Sequence, residues 1–306
     1  MRFPITAFAV GLALFCATET FSQDKNHNSF IEDFNQPALI NFSHITEGRG
    51  EAFTCKAGEK TRGDKEARVL SVRIDPNDPP GAGRGPEIIS KEYTHYGTYA
   101  ARIRIPDVRR KQPNVGAVVG YFTYHMDTVP GLSEIDFEWL LADPEIIYIG
   151  TWTGKRGELR RVGRTINLAR GKIYSTSTRV GQNGNNQPLT GEQSEPARLT
   201  PMEGYDASAR FYTYGFDWYP DRIRWWVINP QTADTVVLWN YRGSTLGIPQ
   251  NRSRYRLNFW HTDSWPVESN PKSVKKPKHK FRTEVDWMSY TPWQPVSGEA
   301  ITKKDQ

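Results

Sequence analysis

The sequence predicts an all-β fold, a sandwich of two sheets, from three observations. Runs of strand length follow one another through the chain, each rich in Val, Ile, Tyr, Phe, Trp or Thr. Gly, Pro and charged turns separate them, and no window sustains a capped helical period. So many strands in 306 residues need two packed layers to bury their apolar faces.

Taken in order, the first element is a leader. Arg2 precedes an apolar run from Phe8 to Cys16, too short to span a bilayer, and small residues follow at Thr20 and Ser22. Residues 1–22 are expected to be a secretory signal cut after Ser22, with Phe15 arguing against lipidation at Cys16. Cys55 is then the one cysteine left, so the core rather than a disulfide must hold the fold. This suits a bacterial protein that is secreted, periplasmic or on the cell surface. Residues 23–306 read as a single domain, expected to be a monomer, since nothing in them has linker composition.

The strand runs cover 68–75, 97–105, 116–124, 133–140, 146–153, 210–218, 222–228, 235–239, 255–261 and 283–290. Two segments break the rhythm. Residues 175–209 are polar and Gly/Pro-rich, and are expected to be either a loop over the working face or a disordered insertion. Residues 266–282, with three prolines and a lysine run, read as a surface loop.

The chemistry sits in Glu134-Ile135-Asp136-Phe137-Glu138. Strand side chains alternate, so the three acids share one face while Ile135 and Phe137 enter the core. Like charges in a row repel, and crowding lets one carboxyl keep its proton while a neighbour ionises. That is the pairing glycosidic cleavage requires: one group protonates the leaving oxygen and the other attacks the anomeric carbon or activates water. A solvent-facing acidic strand would show the same alternation.

Composition narrows the partners. Aromatics make up 12% of the chain, with ten Trp and fourteen Tyr, whose flat faces suit sugar rings. The net charge of +6 is clustered at Arg109-Arg110-Lys111, Arg156–Arg164, Arg252–Arg256 and Lys272–Arg282. These can attract an acidic polysaccharide or be solvated loops. The six His lack metal spacing, and no phosphate loop, dinucleotide fingerprint or G-x-S-x-G is present. A polysaccharide partner is expected, with neither nucleic acid nor a membrane span.

Around the acidic strand the sequence resembles the family 16 glycoside hydrolases, whose motif is E-x-D-x-E with an optional inserted residue that is absent here. Lys91 to Pro106, Gly116 to Tyr124, Phe211 to Asn229, Asn258-Phe259-Trp260 with Trp265, and Thr283 to Tyr290 are similar to family segments in family order. The resemblance implies a β-jelly-roll of two curved antiparallel sheets, concanavalin A-like, with a concave catalytic cleft. It implies retaining, endo-acting hydrolysis with Glu134 as nucleophile, Glu138 as acid then base, and Asp136 assisting. It further implies substrate contacts from Arg102, Tyr124, Trp152, Asn258, Trp260 and Trp265. No cofactor is required for this chemistry. Asp286 matches a ligand of a structural calcium in the family, although one oxygen ligand is far short of a site.

Ala100 stands where the family commonly has Glu, and is expected to enlarge the cleft; Leu132 and Leu140-Leu141-Ala142 also depart from the pattern. A β-glucan is the favoured substrate. An anionic or sulfated galactan stays open, because the arginines could pair with sulfate. Transglycosylation, or carbohydrate binding without catalysis, is also open, although the binding reading predicts loss of a catalytic acid and all three are present.

Overall fold

The structure, a computed structural model, describes residues 28–294 except 47, 57–66, 130, 182 and 243–244. The expected leader lies outside the described residues. No helix among them is long and apolar enough to cross a membrane.

The all-β expectation holds, with strands in two antiparallel sheets. One sheet has nine strands in the order β12 (Gln187–Pro188), β11 (Lys172–Val180), β10 (Arg160–Asn167), β9 (Ile146–Gly154), β8 (Leu132–Leu140), β7 (Ala117–Met126), β16 (Arg254–His261), β5 (Pro86–Ser90) and β2 (Phe42–Thr46). The other runs β15 (Thr235–Tyr241), β14 (Ile223–Ile228), β13 (Tyr212–Trp218), β6 (Gly97–Arg104), β17 (Arg282–Pro292), β4 (Arg68–Arg73) and β3 (Glu51–Lys56), with β1 (Phe30–Glu32) pairing β17.

The core fills the space between the sheets, and period two decides what enters it. Ile135, Phe137 and Trp139 on β8 are fully buried there, with Tyr255, Leu257 and Phe259 on β16. Facing them are Tyr99, Ala101 and Ile103 on β6 and Tyr214, Phe216 and Trp218 on β13. Alternate residues of β8 therefore point to the outer, concave face of the nine-stranded sheet. Of the Trp225-Trp226 pair, Trp225 is buried and stacks on Trp239 at 5.0 Å, while Trp226 covers Gly215 on the far surface.

The first irregular segment is more ordered than expected, and the second is a loop as expected. Residues 175–209 supply most of β11 and all of β12, which extend the nine-stranded sheet. The rest docks on Arg164, a buried arginine stacked over Trp239 at 5.2 Å. Its guanidinium donates to the carbonyls of Ser194, Pro196 and Leu238. Burial lowers its pKa to about 10. Residues 266–282 fold back over one end of the concave face, where Val267 buries against Leu140, Ile146 and Tyr148. Leu140, a departure from the family pattern, thus belongs to a small second core beneath that loop.

Candidate active site

Glu134, Asp136 and Glu138 line a cleft of about 410 Å³ on the concave face, together with Ala82, Gly83, Glu87, Gly120, Phe122, Tyr124, Arg256, Asn258 and Trp260. Strand register explains the grouping. Directly opposed residues share a face, so Glu134 stands between Tyr124 on β7 and Trp152 on β9, and Glu138 between Gly120 and Tyr148. One strand further, Arg254, Arg256 and Asn258 oppose Tyr124, Phe122 and Gly120. A side chain at position 120 would fill the site: a Cβ there would come within 2.5 Å of Asn258 Oδ1. The glycine lets the amide lie over the strand beside Glu138. Asn258 Oδ1 is buried with no protein hydrogen bond, an acceptor open to a sugar hydroxyl.

Charges border the acids on both sides. Arg256 pairs with Glu87 at 2.7 Å and lies over the Tyr124 ring at 5.1 Å. On the other flank Arg161 opposes Trp152 on β10, and its guanidinium bends over Gly163, where a Cβ would meet it at 3.1 Å. Burial raises all three acids, helped at Glu134 by the charge of Glu138 and at Asp136 by both glutamates: Glu134 to about 8, Glu138 to about 7, and Asp136 well above the carboxylate range. Arg256 opposes the rise at Glu134, and Arg161 does so at Asp136 and Glu138. The protons belong to the set, and a bound sugar redistributes them.

The structure brings together most of the substrate contacts expected from sequence. Tyr124, Asn258 and Trp260 line the cleft, and Trp152 adjoins Glu134 through the register. Trp265 stands at the rim, its ring 6.4 Å from Trp260 and 4.9 Å from Tyr148. Arg102 is a correction. It lies on β6 of the opposite sheet, on the outer face, where it forms an ion pair with Asp286 and covers Phe211 at 5.0 Å. Ala100 shares that face, opposite Gly215 and Ser289, so it cannot enlarge the cleft.

Asp286, the expected calcium ligand, forms an ion pair with Arg102. Among the described residues no group of three His, Cys, Asp or Glu could hold a metal. His261 alternates away from Trp260 and is buried. Sequence reading missed Glu87, Phe122 and Arg256 in the cleft and Arg161 and Arg179 beside it. The arginine clusters at 156–164 and 252–256 were the signal for Arg161 and Arg256.

The comparisons with known proteins agree with this geometry. Residues 49–169, which include the acidic strand, match the family model of glycosyl hydrolases family 16. A beta-glucanase of Paenibacillus polymyxa is 33% identical over 91 residues, 29% of this chain and 32% of that protein. A beta-glucanase of Bacillus licheniformis is 25% identical over 175 residues, 56% of this chain and 50% of that protein. The chain thus spans from about a third to half of the length of these curated relatives. The solved Bacillus licheniformis beta-glucanase superposes with a TM-score of 0.52 at 20% identity, over 88% of this chain and 100% of that one. That likeness shows the fold, a jelly roll of two antiparallel sheets. The acidic strand lies inside the segment that matches the glycosyl hydrolases family 16 model.

Proposed function

We propose that the protein is a retaining, endo-acting glycoside hydrolase that cuts internal β-linkages of a polysaccharide by double displacement. The observation that carries the reading is the row of three acids on the floor of one cleft, with Tyr124, Trp152 and Trp260 offering ring faces beside them. Glu134 attacks the anomeric carbon, and the departing glycosidic oxygen takes the proton of Glu138, leaving a glycosyl ester on Glu134. Glu138, now ionised, takes a proton from water, whose oxygen attacks the same carbon and frees Glu134. Burial and the neighbouring Glu134 and Glu138 raise the pKa of Asp136, which favours its protonated form beside the two acids that change charge during the cycle. A cleft crossing the strands receives the middle of a chain, which supports internal cleavage.

The curated relatives are named beta-glucanases, so a β-glucan is the first polymer to test. The apolar leader supports secretion, and a single-domain monomer from residue 23 completes the proposal. The test is reducing-end release from mixed-linkage β-glucan, laminarin, xyloglucan, agarose, porphyran and carrageenans, comparing the protein with Glu134→Gln. Release from one polymer that disappears in the variant supports the reading. Equal release by both forms overturns Glu134 as nucleophile.

A further inference from the structure

The row that contains Glu134 does not end at Trp152. Trp152 opposes Arg161 on β10, and Arg161 opposes Arg179 on β11, so all four share the concave face. At about 4.8 Å between strands, Arg161 and Arg179 lie roughly 10 and 14 Å from the Glu134 backbone, beyond the sugar in contact with it. The Arg179 guanidinium covers the Trp152 ring at 5.3 Å, and its Nε is buried with no hydrogen-bond partner. Arg161 bends over Gly163 on its own strand.

These two cations are arranged at a cost. The charge of Arg161 and burial both act against the protonated form of Arg179, and neither arginine forms an ion pair with an acid among the described residues. Arg256, across the cleft, contrasts with them because Glu87 neutralises it. Arg161 acts electrostatically on Asp136 and Glu138 but forms no ion pair with either among the described residues. Arg179, with its idle buried donor beside the Trp152 face, and Arg161, opposite it on the next strand, fit an oxyanion attached to a sugar ring.

We propose that Trp152, Arg161 and Arg179 form an anion subsite, and that the substrate bears a sulfate ester or a carboxylate on a sugar bound beyond Glu134 toward β11. The sugar lies beside Trp152, and the anion accepts from both guanidinium groups. This rests on the hydrolase reading for its substrate, but the anion site itself can be tested without turnover.

The first arm follows arginine side-chain Nε–Hε signals by NMR during titration with sodium sulfate and, separately, sodium glucuronate. The expected result is saturable shifts of the Arg161 and Arg179 signals, assigned with Arg161→Lys and Arg179→Gln. The stronger of the two titrations identifies sulfate or carboxylate. Absence of saturation with both, or a response unchanged in Arg179→Gln, overturns the site even if the enzyme is active. The second arm compares the polymer that is cut with its uncharged or de-esterified counterpart. Arg179→Gln lowers kcat/KM on the anionic form about tenfold or more, as loss of one charge-assisted hydrogen bond requires, and lowers it by less on the neutral form. Equal losses on both forms contradict the subsite while leaving the hydrolase reading intact.

Discussion

The indole Nε1 of Trp225, on β14 of one sheet, donates a 3.1 Å hydrogen bond to the backbone carbonyl of Asp136, on β8 of the other. The bond crosses the core and fixes the middle of the acidic strand to the opposite layer. Trp225 is itself held by its stack on Trp239, which donates to the carbonyl of Gln193. One chain of contacts therefore runs from the polar 190s segment to the floor of the cleft.

Trp225→Phe tests that tether. It keeps an aromatic ring in the core but leaves a buried carbonyl without its donor, at a cost of about 1–3 kcal/mol. Urea denaturation should show this loss, and kcat measured on the folded fraction should fall because the strand is less firmly placed. Unchanged stability would mean that the carbonyl finds another donor.

Stability should depend on pH in the direction set by the acids. Their folded-state pKa values are raised, so the native state binds more protons than the unfolded chain between the ordinary carboxylate range and about 8. Their stabilising contribution is complete below the unfolded values and is lost as pH rises through the folded ones. Tm should fall from about pH 5 to about pH 9, and Glu134→Gln should flatten the slope and be the more stable form at the alkaline end. A wild-type Tm that rises over this window would contradict the assignment.

Arg161 should set the alkaline limb of activity. Its charge favours ionised Glu138, so Arg161→Met raises that pKa and moves the upper limb of the kcat/KM profile to higher pH. Gly163→Val should move it the same way, because the added side chain displaces the guanidinium. A limb that stays fixed in both variants would place the control elsewhere.

Arg164→Leu should undock the 190s segment. Three carbonyls lose their donor, and limited proteolysis should cut between residues 183 and 209 faster than in the wild type. Equal cutting rates would show that β12 and Trp239 suffice to hold the segment.

How much of this was legible in the sequence depends on the range of the interactions involved. β8 was readable because burial on one side and chemistry on the other produce a clean period of two. The segment at 175–180 was not, since neither face of β11 enters the main core and its Ser and Thr show no apolar alternation. Arg102 and Ala100 were misplaced because their strand was recognisable but its sheet was not; joining β13 and β17 is a long-range choice. Arg161 was visible as charge, yet its position beside the acids depends on a bare Gly163 on its own strand and on register across β9.

The anomeric configuration of the first product decides the central claim. Hydrolysis of the preferred polymer should be followed by ¹H NMR from the first minutes, before the free sugar equilibrates. Double displacement through Glu134 predicts that the β-anomer appears first and the α-anomer follows by mutarotation. If the α-anomer appears first, water attacks directly and Glu134 is not the nucleophile.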